Sequence, residues 1–207
     1  MALRVLWVVD HLGYDGVLHG AGMYYLRTIP ALDGGRFRIT LCVLRRRDGL
    51  SERFEEAGID LVHLSRGKYD PLTMLDLVKT AGRLHAGLLH CHGYGSSNFG
   101  RLAGWWLAIP VIVHAHDEDM NYPWHQGVAD ALLRRKASLV VAVSRAVKRS
   151  CIIRRRFPGD SVRVLANGID VNRLDPGEAS EAFGEGPGEG GTVHRGSPVI
   201  GVVARLR

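Results

Sequence analysis

The sequence lacks most of what would hold a secreted or membrane-embedded protein together. Its three cysteines, Cys42, Cys91 and Cys151, are widely spaced with no CxxC pair. That excludes a disulfide framework and fits reduced, buried thiols in a cytosolic protein. Long hydrophobic runs are missing too. The run Val5 to Val9 is stopped by Asp10 before it reaches signal-peptide length, and no small-residue cleavage site follows. The longest apolar stretch, Leu102 to Ala115, is broken by Pro110 and is shorter than the roughly 18 residues a membrane span needs. No repeat is visible. What remains, 46% hydrophobic and 23% charged residues, is an ordinary globular composition that excludes wholesale disorder, a collagen-like chain and a coiled coil.

Positive charge is present but uneven. The formal net charge is +6, and residues 131–165 hold ten Lys and Arg against one acidic residue. The stripe Arg134 to Lys136, Lys148, Arg149 and Arg154 to Arg156 suits phosphates or an anionic lipid surface, or serves simply as a solvated face. No nucleic-acid reader motif accompanies it, so nucleic acid is not an expected partner.

Short β-branched runs alternate with longer amphipathic segments, the βαβ rhythm of a parallel sheet covered on both faces. Strands are predicted at Leu3 to Val9, Phe37 to Leu44, Leu61 to Leu64, Leu88 to Cys91, Val111 to His114, Leu139 to Val143 and Val162 to Leu165. Helices are predicted over about 20–32, 70–87, 98–107, 125–136 and 145–157, with Asp70 as a cap before Pro71. The fold class is therefore α/β, a Rossmann-like parallel sheet flanked by helices. This domain is expected to occupy 1–174. A Gly-rich linker follows over 175–198. Residues 199–207 then read as the first strand of a truncated C-terminal domain.

Ligands of open α/β sheets bind beyond the carboxyl ends of the strands, so the residues after each apolar run are the candidates. After the first run come Gly13, Gly16 and His19 to Gly22, leading into a helix whose N–H groups suit a phosphate, or whose glycines merely make a tight turn. The fourth and fifth runs end in His90-Cys91-His92 and His114-Ala115-His116. Four imidazoles on one sheet face, with Asp117 or Asp119 in support, would suit zinc and a zinc-dependent hydrolase. The competing reading has the inner histidine of each pair packed and only the outer one reaching the crevice. It is favoured because no Cys pair or further ligand cluster completes a tetrahedral set. Ser144 is placed to cap the helix after the sixth run, and Asn167-Gly168 to supply a turn needing positive φ.

Taken in order, HGAGMYYLRTIPAL, the HCHG strand end followed by PVIVHAHD, the helix start after VVAVS, the segment ANGIDVNRLDP with its NGID at Asn167 to Asp170, and VIGVVARLR resemble the N-terminal, acceptor-side half of a family 4 glycosyltransferase of the two-Rossmann GT-B architecture. The resemblance implies retaining transfer of a sugar from a nucleotide-sugar donor to an acceptor, with no cofactor and no metal. In it, Gly20 matches a loop glycine near the donor diphosphate and His116 the histidine at the transferred sugar. Arg205 matches the arginine that neutralises diphosphate charge, although Ala204 replaces the glycine usual before it. His92, Tyr94 and Tyr122 are the candidate acceptor contacts. The chain stops before the motifs that hold most of the donor, so it is expected to be inactive without the missing C-terminal domain. The expected location is cytoplasmic, with peripheral contact at the inner membrane face through the stripe 134–156. A noncatalytic sugar- or anionic-lipid-binding module is the alternative.

Overall fold

The computed structural model describes residues 2–118 and 122–168. Asp119, Asp170, Arg205, the linker 175–198 and the strand 199–207 lie outside the described residues. Residues up to Asn167 form one compact unit. Its elements in chain order are β1 (Leu3–Val9), β2 (Gly13–Tyr14), β3 (Val17–Leu18), α1 (Gly20–Ala31), β4 (Phe37–Val43), α2 (Ser51–Glu56), β5 (Asp60–His63), α3 (Leu72–Arg83), β6 (Leu88–His92), α4 (Tyr94–Leu107), β7 (Val111–Ala115), α5 (Trp124–Leu133), β8 (Leu139–Ala142), α6 (Arg145–Ile153) and β9 (Val162–Val164).

All seven predicted strands are present and form one parallel sheet in the order β5-β4-β1-β6-β7-β8-β9. From β1 the chain first builds outward through β4 and β5, then crosses back to lay β6 on the other side. The strand order therefore reverses between β1 and β6, the switch point where doubly wound sheets open a crevice.

Residues alternate between two buried faces. Val5, Trp7 and Val9 of β1 pack with Leu41 and Val43 of β4 beneath Tyr25 and Ile29 of α1 and Phe54 of α2. Leu6, Val8, Cys42, Leu89 and Cys91 face the other way, onto Leu77 and Ala81 of α3 and Ala103 of α4. The three cysteines are free and buried, as expected of packed thiols.

Several differences from the sequence reading have local causes. The loop after β1 folds into a hairpin, β2 against β3, with Asp15 (φ 51°) and Gly16 (φ 76°) as its central pair. Two successive positive φ values match the twist that a tight hairpin needs. α4 begins at Tyr94, four residues before the predicted start, because Asp10 at the end of β1 accepts from the N–H groups of Gly95 (3.1 Å) and Ser96 (2.5 Å). α3 starts at Leu72, one residue later than predicted, with Pro71 in the cap position; Asp70 Oδ1 still accepts from Leu72 N at 2.9 Å, and the helix stops at Arg83. Ser144 caps α6, its Oγ accepting from Val147 N at 3.1 Å. The turn at Asn167-Gly168 requires correction: neither residue has a positive φ.

Candidate functional site

The carboxyl ends of β1, β4, β5 and β6 surround a cavity of about 470 Å³ at the switch point. Its wall includes Asp10 and His11 after β1, Tyr14 in the hairpin, Arg45 after β4, Lys68 and Tyr69 after β5, and Tyr94 opening α4. The other long wall is polar: Asn98 Nδ2 donates to Gln126 Oε1 at 2.9 Å, and Gln126 Nε2 donates back to Asn98 Oδ1 at 3.2 Å. Asp10 faces the cavity from the spot where an anion would otherwise sit at the α4 N-terminus, so this helix end is served by the chain's own carboxylate. Gly93 makes that contact possible. Its φ is 104°, and a Cβ there would lie 2.8 Å from Asp10 Oδ2.

Behind the wall stands a buried ionic node. Asp130 of α5 accepts from Arg101 Nη2 (2.6 Å), Arg155 Nε (2.8 Å) and Tyr122 Oη (2.7 Å), and Arg101 also donates to Asn98 Oδ1 at 2.6 Å. Burial opposes ionisation of Asp130, but the charge of Arg155, its hydrogen bond and the charge of Arg101 prevail and hold the carboxyl below its usual range. The Arg155 guanidinium lies over the Tyr94 ring, 5.6 Å from its centroid, and so connects node and cavity. Arg155 is only 4% exposed, so the stripe 134–156 is corrected at that residue: it belongs to the interior.

The histidines form a ladder on the α1 face of the sheet. The registers Trp7↔His90 and His92↔His114 align them across β1, β6 and β7. His90 Nε2 lies 3.2 Å from His114 Nδ1, and His92 Nδ1 lies 2.9 Å from His116 Nε2. Trp7, Tyr24 and Tyr25 pack around them. Burial drives all four towards the neutral form, and neighbouring imidazoles add to it: His90 falls to about 3, His114 to about 2 and His116 to about 4, and His92 lies well below its ordinary value. One nitrogen each from His90, His92 and His114 lies within 4.8 Å of the others, a spacing that a metal could draw together.

The structure thus sorts the sequence candidates. Tyr94 lines the cavity. Tyr122 stands behind it, its ring 6.3 Å from that of Tyr94 and its hydroxyl on Asp130. His92 is corrected: at 2% exposure it is packed under Tyr25 and does not reach the crevice. His116 is half-buried at the end of β7. Gly20 is open, since a Cβ there would meet nothing within 4 Å. The same addition at Gly22 would lie 2.3 Å from Leu12 O, so that glycine serves close packing. His19 caps α1, its Nδ1 accepting from Gly22 N at 2.7 Å. Sequence reasoning missed Arg45, although it directly follows an apolar run, and it missed Lys68 and Asp130. An Asp within the otherwise apolar stretch Val128 to Leu133 was the available signal for the node.

A seven-stranded parallel sheet with its crevice at the β1/β6 switch is a Rossmann-like α/β domain, the fold of one half of the GT-B architecture. The chain belongs to glycosyltransferase family 4: the sequence model of Glycosyltransferase Family 4 matches residues 18–173. Among solved structures it is similar to HepE of Anabaena in complex with UDP (TM-score 0.71, 19% identity, 87% of this chain and 49% of that one). It is also similar to a glycosyltransferase of Rickettsia africae (TM-score 0.66, 16% identity, 87% and 48%). A third is the lipopolysaccharide outer core galactosyltransferase WaaB (TM-score 0.61, 12% identity, 82% and 47%). The chain spans about half the length of these structures. No curated protein matches it by sequence. No helix among the described residues is long and apolar enough to cross a membrane.

Proposed function

We propose that this chain is the acceptor-binding half of a retaining, nucleotide-sugar-dependent glycosyltransferase of the hexosyl type, inactive until a C-terminal domain supplies the rest of the donor site. The observation that carries the reading is the cavity at the switch point, with tyrosines for the apolar face of a sugar ring and the Asn98-Gln126 pair for its hydroxyls. His116, directly after β7, is fixed by His92 and neutral at physiological pH. It can therefore donate to or accept from a hydroxyl of the transferred sugar. Gly20, which protein packing does not explain, leaves room for the donor diphosphate. HepE binds UDP and UDP-glucose, which makes uridine diphosphate sugars the first donors to try. The reading assigns no metal or cofactor to the transfer.

The test joins the chain to a family 4 C-terminal domain and follows sugar transfer from UDP-glucose to a panel of acceptors. Transfer by the joined protein and none by the chain alone is the expected result. A joined, folded protein that transfers nothing and binds no acceptor overturns the reading.

Two specific observations bear on other uses of the same chain. The spacing of His90, His92 and His114 is compatible with a bound zinc, which the alternative of a zinc-dependent hydrolase requires and metal analysis of tag-free protein checks directly. The exposed Trp105 and Trp106, with Lys136 Nζ 4.4 Å from the Trp105 ring centroid, favour peripheral contact with an anionic membrane. Salt-sensitive sedimentation with anionic vesicles, weakened in Trp106→Ala, is the matching measurement.

A further inference from the structure

We propose that the acceptor of this cavity is an acidic sugar, a ring bearing a carboxylate or phosphate that Arg45 and Lys68 hold while the ring lies against the tyrosines. The inference rests on the reading of the cavity as the acceptor site, and it names the substrate class that site selects.

The cations of this region fall into two sets. Arg47 is paired with Glu55, and Arg66 with both Asp70 and Asp76. Arg45 and Lys68, which line the cavity, make no ion pair among the described residues. Arg45 is nevertheless held in place: its Nη1 donates to the carbonyl oxygens of Arg66 (3.1 Å) and Gly67 (2.9 Å). That pins the guanidinium to the loop carrying Lys68 and leaves Nε and Nη2 with no hydrogen bond among the described residues. A positioned guanidinium with two donors to spare, and an ammonium next to it in a concave wall, is the arrangement that recognises a carboxylate or a phosphate.

Among the described residues Asp10 is the one carboxylate in the lining, and it does not cancel this field. Its oxygens accept from Gly95 N and Ser96 N, at a helix end whose dipole offsets its charge. The aromatic lining argues for a ring rather than a bare anion. Tyr69 is 72% exposed with the Lys68 ammonium 5.4 Å from its centroid, so a ring carrying an acid group would meet both at once.

The experiment titrates the full chain with glucuronate, glucose 1-phosphate, glucose and inorganic phosphate, by calorimetry and by the amide resonances of Tyr94 and Gly95, at low and high salt. Both acidic sugars should bind about tenfold more tightly than glucose, because each adds a charge-assisted hydrogen bond, and salt should erode the difference. Arg45→Gln and Lys68→Gln should each remove much of the preference, weakening the binding of the acidic sugars more than that of glucose. Lys68 is exposed, so its variant keeps the fold even if Arg45→Gln does not. Equal binding of glucose and glucuronate overturns the proposal but leaves the acceptor cavity standing. Acidic sugars whose binding ignores Lys68→Gln also overturn it. So does inorganic phosphate that binds as tightly as glucose 1-phosphate, because the site would then read charge without the sugar. If no sugar moves the Tyr94 and Gly95 resonances, the acceptor reading itself fails.

Discussion

Lowering the pH through the range where free histidine titrates should unfold this protein, and the histidine ladder sets how steeply. Burial first, and adjacent imidazoles second, keep His90, His92, His114 and His116 neutral in the fold, with values of about 3 for His90, about 2 for His114 and about 4 for His116. In the unfolded chain each recovers a value of about 6.5, so between pH 6.5 and 4 the unfolded state binds more protons and stability falls as pH falls. Each histidine withdraws about 1.2 kcal/mol between pH 7 and pH 5.5, and the four together about 5 kcal/mol. That sum hardly depends on how far below 5 the folded values lie. Against a total stability of roughly 5–15 kcal/mol it is a large fraction, so the acid transition should begin above the range in which carboxylates protonate. Urea unfolding followed by near-UV circular dichroism at closely spaced pH values measures the slope directly. An uptake of about 3–4 protons between pH 6 and 5 is expected, and replacing His114 by Gln should lower it by about one. A slope of less than one proton over that interval would refute the burial of a neutral ladder.

Two further outcomes follow from the packing. Asp130→Asn leaves Arg101 and Arg155 buried without their carboxylate, a loss of about 3–5 kcal/mol, and should lower the Tm in a thermal scan by roughly 6–20 °C. Gly22→Ala drives a Cβ against Leu12 O and should cost about 1–3 kcal/mol, whereas Gly20→Ala should stay within about 0.5 kcal/mol of the parent in denaturant melts. Any loss of transfer in a joined protein carrying Gly20→Ala then reports on the ligand and not on the fold.

How much of this was legible depended on whether the determining contact was local. All seven strands could be read because buried parallel strands are nearly unbroken apolar runs, and such runs are a property of adjacent residues. The starts of α3 and α6 could be read for the same reason, since Asp70 and Ser144 bond two and three residues ahead. The start of α4 could not: its cap is Asp10, more than eighty residues earlier in the chain. The hairpin after β1 was within reach, because Asp15-Gly16 is a strong turn pair, but its strands are two residues each and carry no periodicity.

The site divides along the same line. Alternation placed the four histidines on one face, yet it could not tell which would be covered. Coverage comes from Tyr24 and Tyr25 of α1, the helix of the β1-to-β4 crossover: the Tyr25 ring lies 4.8 Å from that of His92 and 6.2 Å from that of His116. Charge behaves likewise. Arg154, Arg155 and Arg156 look identical as a run, but α6 ends at Ile153, and the chain then turns through Arg156 at a φ of 56°. That turn sends Arg155 inward to Asp130 on a different helix. A basic run therefore states how much charge the chain carries, and only a partner elsewhere in the fold decides which members face a ligand or a membrane and which hold the interior together. Arg45 and Arg47 make the same point at the cavity. They are two residues apart and chemically identical. Glu55 neutralises Arg47, while Arg45, tied only to carbonyl oxygens, remains available to an anion.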